Sequence, residues 1–288
     1  MKTTDAISEL RTAVEELSAK SSIEDLDAAR AVVARLFRAL ERGEVRSAQP
    51  GPDGWEAVEW VKSGILLSFR VGRTAAFPFD GSAPGPLPFF DRDTLPLRNT
   101  LGVEENVRIV PGGSSVRAGS YLAPNVVIMP PAYVNVGAWV GEGAMVDSHA
   151  LVGSCAQIGA RVHLSAGAQI GGVLEPVGLR PVIVEEDAMI GANTGIFEGV
   201  LVGSRAVLAP GVQLTAATPL YDLVKGEVHR SRPDRPLSVP PGAVVVPGTR
   251  PADGAFARER GIQLYAPVIV KYRDEKTDAA TALEEVLR

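Results

Sequence analysis

A chain of 288 residues with a formal net charge of −5 and no basic cluster is a poor fit for nucleic-acid binding, and it has room for one large or two modest domains. No apolar run approaches the roughly 20 residues that a membrane-spanning helix needs. A single cysteine, Cys155, allows no intrachain disulfide. These features fit a cytoplasmic protein with neither a nucleic-acid nor a membrane partner. The first residues, Met1-Lys2-Thr3-Thr4-Asp5, run into an amphipathic pattern rather than an apolar leader. Ile7, Leu10, Val14 and Leu17 recur at helical spacing over residues 5–19. Ser21-Ser22 breaks that stripe, and Ser22 is placed to cap a second helix, with Glu24 and Asp25 in its first turn. The second helix passes through Leu26, Val33, Phe37 and Leu40 and is expected to stop at Gly43. Residues 44–54 read as a turn. Trp55 to Arg70 predicts a short helix running into a strand over Ile65–Arg70, or a strand–helix–strand unit. Residues 76–100, with Phe77-Pro78-Phe79, Pro84-Gly85-Pro86 and Pro88-Phe89-Phe90, read as an irregular wrapping segment. Together these form an expected N-terminal helical/α+β domain over residues 1–102.

From Val110 the pattern changes. Every sixth residue is aliphatic: Val110, Val116, Leu122, Ile128, Val134, Val140, Val146, Val152, Ile158, Leu164 and Ile170. The ladder resumes out of phase as Val184, Ile190, Ile196, Val202, Leu208 and Leu214. A small residue stands four places after many rungs, as at Ala132, Ala138, Ala144, Ala150, Ala156 and Ala168. Gly often follows the rung directly, as at Gly141, Gly153, Gly159, Gly171, Gly191 and Gly203, where it is expected to supply turn conformations. A period of six is neither helical nor simple strand alternation. It fits short strands joined by turns, three to a coil, stacked as a parallel β-helix whose rungs point inward.

The solenoid is expected over residues 103–250, with excursions near 171–183 and 218–238. The second carries Tyr221-Asp222, Lys225-Gly226-Glu227 and an Arg/Pro run at 230–236. Long excursions from a compact domain are often functional. Residues 251–288 predict a C-terminal cap of one strand, Pro267–Val270, and a helix from about Thr277. The N-terminal helices are expected to cap the other end. A solenoid wall has no deep pocket, so the expected site is a groove between copies, most simply in a homotrimer. Three histidines, His149, His163 and His229, show no spacing suited to a shared zinc site, and no metal is expected. Cys155, inside the ladder, reads as a wall residue rather than a nucleophile.

Specific runs sharpen this. Leu66-Leu67-Ser68-Phe69-Arg70, Met129-Pro130-Pro131-Ala132-Tyr133-Val134-Asn135-Val136 and Met145-Val146-Asp147 precede Gly153-Ser154-Cys155-Ala156-Gln157-Ile158-Gly159. Val162-His163-Leu164-Ser165, Ile170-Gly171-Gly172-Val173-Leu174-Glu175-Pro176, Tyr221-Asp222, Gly226-Glu227-Val228-His229 and Val268-Ile269-Val270-Lys271 follow. With these runs the chain resembles the tetrahydrodipicolinate N-succinyltransferases of bacterial lysine biosynthesis over most of its length. The resemblance to hexapeptide acyltransferases implies a left-handed coil. It further implies succinyl transfer from succinyl-CoA to the amine of the ring-opened acceptor, 2-amino-6-oxopimelate, in the diaminopimelate route. No permanently bound cofactor is implied. By the same resemblance Asp147 would accept the amine proton or orient its lone pair, and Arg108 would grip an acceptor carboxylate. Gly171 and Gly172 are the candidates for backbone contacts to the acyl group or pantetheine. His163 matches the family and would face the groove. Lys271 and Lys276 would lie at its mouth, near CoA phosphates or substrate. One departure stands out. After Ile190-Gly191-Ala192 the family pattern runs Arg-Ser-Glu, and this chain has Asn193-Thr194-Gly195. The missing glutamate leaves several readings: Asp147 acts alone, Glu198 or a loop residue substitutes, or the substrate or acyl donor differs, with acetyl-CoA the alternative donor. A zinc hydrase of the gamma carbonic anhydrase type and a non-enzymatic scaffold are the other classes.

Overall fold

The computed structural model describes residues 3–52, 54–77, 89–232 and 235–274. Lys276, the expected helix from Thr277 and most of the Pro/Phe segment lie outside the described residues. Two helices open the chain, α1 (Thr3–Ala19) and α2 (Leu26–Glu41). Asp25, not Ser22, caps α2: its Oδ1 accepts the Ala28 N–H at 2.9 Å, and the helix starts too late for Ser22 to reach it. Gly43 ends α2 as expected, at φ +69°. A side chain there would also meet the Tyr121 ring at 2.9 Å, so the position demands glycine twice over. A two-stranded ribbon, Ala48–Gly51 with Gly54–Ala57, leads into α3 (Glu59–Val71). Residues 65–70 are therefore helical. Val61, Ile65, Leu67 and Val71 fall at helical spacing, and all are buried against Leu10, Val14, Val33 and Leu36 of the first two helices.

The solenoid is a triangular prism of three parallel sheets. One face stacks Tyr121–Leu122, Trp139–Val140, Gln157–Ile158, Ile183–Val184, Leu201–Val202 and Ser238–Val239. The second stacks Arg108–Ile109, Val127–Ile128, Met145–Val146, His163–Leu164, Met189–Ile190 and Val207–Leu208, and continues onto Ala243–Pro251. The third runs from Ser115–Val116 to Gln213–Leu214. The inward rungs from Leu122 upward are buried, and the alanines fill the corners beside them. Two details differ from expectation. Ile109, not Val110, stands under Ile128, because the first corner holds one extra residue and accommodates it with Gly112 and Gly113 at φ +144° and +93°. The glycines that follow rungs do not have positive φ. They are small because the next coil's backbone presses on them: a Cβ on Gly153 would sit 2.2 Å from Gly172 N, and one on Gly141 2.6 Å from Ala160 N. Positive φ falls later in each corner, at Gly137, Gly143 and Gly167 but also at Asn125, His149, Cys155 and Arg161.

The helical unit does not cap an end of the prism. It packs on a flank, where Ala118, Val136 and Cys155 of successive coils join the helical core. The lower edge is covered instead by residues 95–107: Leu97 bridges Arg117, and the buried Arg98 guanidinium grips Glu105 through two bonds of 2.8 Å and donates to Ser120 O. Both excursions leave the corner between the third and first faces. The second is no open loop. It forms a hairpin, Leu220–Asp222 with Glu227–His229, that joins strand Gln263–Tyr272 of the second sheet, and Leu220 enters the prism core. Gln263–Tyr272 in turn pairs antiparallel with Ala243–Pro251 across a short helix, Ala255–Arg260, which the sequence did not suggest. No helix of the described residues is long and apolar enough to cross a membrane.

Asp222 ties this end together. Its buried carboxylate accepts the Tyr272 hydroxyl at 2.6 Å and the N–H groups of Val224 and Lys225. Burial pushes its pKa up, but these donors, Tyr272 first, outweigh that and hold it below the ordinary 3.8. A carboxylate with a lowered folded pKa contributes stability at pH values above its unfolded value. That contribution is lost as pH falls from 3.8 through the folded value. The difference in denaturation midpoint between wild type and Asp222→Asn should therefore be full at pH 6 and shrink on acidification below pH 4. A difference independent of pH would contradict this account of Asp222.

Candidate functional site

Asp147 sits at the turn that leaves the second face after Met145–Val146. Its N–H donates to Leu164 O in the coil ladder, which fixes the backbone. Asp147 Oδ1 accepts the Ser148 N–H at 2.7 Å, and Oδ2 lies 3.8 Å from His163 Nε2. That spacing is too long for a hydrogen bond but close enough for charge coupling if the ring protonates. His163 faces outward from the neighbouring coil, between Met145 below and Met189 above. A carboxylate and an imidazole thus share one edge of the second face, both partly open, with side chains 31% and 15% exposed. Arg108 is on the same face two strands below, exposed at the edge of the sheet. At the usual strand spacing that is roughly 10 Å from the Asp147 level. Lys271 is on the same sheet at the far end, five strands above and so on the order of 24 Å away, and its Nζ lies 3.4 Å from Asp274 Oδ1. Arg108, Asp147, His163 and Lys271 therefore lie along a single face of the prism.

Gly171 and Gly172 do not. They begin the first excursion at the corner between the third and first faces, one wall away from Asp147. The Gly171 N–H is already donated to Ile196 O. Within one chain, Asp147 and Gly171-Gly172 are not brought to a common point. Among the described residues no three His, Cys, Asp or Glu side chains are grouped as a metal site. Cys155 is fully buried under the helical unit, and burial pushes its thiol up to about 11, which suits a packing residue rather than a nucleophile.

Two family models match the chain: the N-terminal region of tetrahydrodipicolinate N-succinyltransferase over residues 4–71, and the hexapeptide repeat of succinyl-transferase over residues 181–216. Relatives named 2,3,4,5-tetrahydropyridine-2,6-dicarboxylate N-succinyltransferase align along nearly the whole chain. That of Gluconobacter oxydans is 46% identical, covering 97% of this chain and 98% of its own length. That of Cupriavidus metallidurans is 42% identical over 94% and 93% respectively, and that of Coxiella burnetii 47% over 86% of each. The chain belongs to the tetrahydropyridine-dicarboxylate N-succinyltransferase family. The family resemblance thus extends to the helical unit on the flank as well as to the solenoid.

Gly195, where the family pattern puts a glutamate, faces outward from the third face. A Cβ there would lie 2.2 Å from Gln213 Oε1 and 2.5 Å from the Phe197 ring. The space that a longer side chain would use is filled by those two neighbours. Glu198 does not replace it on the Asp147 edge. It lies at the other corner, and its carboxylate accepts the Ala216 N–H at 2.8 Å.

A feature that sequence reasoning missed lies on the first face. A cavity of about 450 Å³ opens there between the helical unit and the prism, lined by Arg46, Trp55, Tyr121, Trp139, Gln157 and Glu185 among others. The Arg46 guanidinium stacks 3.8 Å above the Trp139 ring and donates to Gln157, and burial pulls it down to about 10. Trp55 Nε1 donates to Glu185. Tyr121 and Trp139 each precede a rung one coil apart, a register that could have revealed the pair. None of Asp147, Arg108, His163 or Gly171-Gly172 lines this cavity.

Proposed function

We propose that this protein is a homotrimeric, cytoplasmic N-succinyltransferase with a left-handed solenoid, moving the succinyl group of succinyl-CoA onto tetrahydrodipicolinate in its ring-opened 2-amino-6-oxopimelate form. The observation that carries this reading is Asp147: a partly open carboxylate, fixed by the coil ladder, on the edge of a prism face whose lower strand bears Arg108. The acceptor amine attacks the thioester carbonyl carbon, the new C–N bond forms, and the C–S bond breaks. Asp147 takes the proton the amine sheds, and CoA leaves as a thiolate that is protonated in turn. Arg108 holds an acceptor carboxylate. Lys271, at the upper end of the same sheet, is assigned to the CoA phosphates. The separation of Asp147 from Gly171-Gly172 by a whole wall favours a groove between two copies, with Asp147 from one and the glycine turn from the next.

The expected result for Arg108→Ala is a rise of about tenfold or more in the KM for the dicarboxylate acceptor, with the KM for succinyl-CoA unchanged. Initial-rate kinetics with each substrate varied in turn check this. An unchanged acceptor KM removes Arg108 from the site. A monomeric mass by light scattering would contradict the shared groove.

A further inference from the structure

Lys62 lies on the buried face of α3, beside Val61 and Ile65, and its side chain is fully buried. An ammonium in such a place is costly unless its donors are used. Here they reach across to the first excursion: Nζ donates to Leu179 O at 2.7 Å and to Pro176 O at 3.1 Å. Burial lowers the Lys62 pKa, opposed by Cys155 and Glu59. The rest of the excursion is fastened with few bonds of its own. Val173 N–H donates to Ser154 O, Leu179 N–H to Pro176 O, and the Arg180 guanidinium to Gly199 O. Leu174 packs against the helical core. No strand pairing holds residues 171–182. The Pro176 and Leu179 carbonyls accept these two charge-assisted bonds, and an apolar side chain at position 62 would remove both.

We propose that Lys62 is a positioning residue for the acyl donor: it latches the excursion that begins at Gly171-Gly172 to the helical unit and so sets the wall of the CoA groove. This rests on the reading above that the glycine turn borders that groove. It gives the flanking helical unit a role in donor binding, although α3 contributes no side chain to the Asp147 edge.

The test uses the full-length protein with Lys62→Met, which keeps the stem and removes the donors, and Lys62→Arg, which restores charge and donors. Hydrogen exchange read by mass spectrometry on peptides spanning 171–182 should speed up about tenfold or more in Lys62→Met, while peptides of the upper coils stay unchanged. The KM for succinyl-CoA should rise about tenfold, with kcat and the acceptor KM little changed, and Lys62→Arg should recover part of both effects. Should Lys62→Met fail to fold, Lys62→Gln, which retains one donor group, is judged by the same two readouts. Unchanged exchange in 171–182 overturns the latch. Faster exchange with an unchanged donor KM overturns its service to the donor site. Wild-type protein that transfers no acyl group would sink the functional reading instead, and the exchange data would still judge the latch.

Discussion

Asp147→Asn lowers turnover by a factor on the order of 10² or more while leaving CoA affinity unchanged. The amide is nearly isosteric and can still accept the Ser148 N–H that orients the native carboxylate, so the backbone of the turn is kept. The proton-accepting charge beside His163 is lost. The amine then has to shed its proton to water, and the loss falls on kcat rather than on donor binding. Steady-state kinetics with calorimetric titration of CoA separates the two. Turnover within a few-fold of wild type would mean that Asp147 is a turn residue and the base lies elsewhere.

Gly153→Ala is expected to be the most disruptive of the smallest changes in the prism, at about 3 kcal/mol of stability. The added methyl would sit 2.2 Å from Gly172 N and 2.7 Å from Gly171 C, both backbone atoms of the next coil. A rotamer change cannot relieve that contact, so the coils must separate locally, and the glycine turn moves with them. Gly211→Ala is the matched control. Nothing lies within 4 Å of its would-be Cβ, and its φ of +77° makes the cost one of backbone conformation, about 1 kcal/mol. Chemical denaturation of both variants should show the larger midpoint shift for Gly153→Ala. Equal shifts would contradict the close backbone contact.

The prism was legible because stacking turns geometry into sequence period. Each rung from Leu122 onward stacks on an equivalent in a neighbouring coil, so every one had to be aliphatic. Where a corner changes length the period misleads, as at Ile109, which an extra residue displaces from the six-step. The glycines were found correctly but for the wrong reason. A tight contact and a positive φ both select glycine, and only coordinates tell them apart. The hairpin at 220–229 was hidden because its partner strand lies some forty residues on, and strands of three residues are too short to show a period. The site was less legible than the fold. The ladder could not single out Asp147, and the resemblance did. Lys62 and Arg46 escaped notice since long cations read as solvated from sequence, and their partners lie about a hundred residues away. The one available signal for Lys62 was its place on the apolar stripe of α3.

Succinyl transfer to tetrahydrodipicolinate is tested by the initial rate of CoA thiol release from succinyl-CoA and from acetyl-CoA, with and without tetrahydrodipicolinate, and the product mass recorded. Acceptor-dependent release from succinyl-CoA is expected at a kcat/KM at least about tenfold above that for acetyl-CoA, with an N-succinylated product. Equal or faster transfer from acetyl-CoA would tie the open space lost at Gly195 to a different donor, and no acceptor-dependent release from either donor would contradict the function itself.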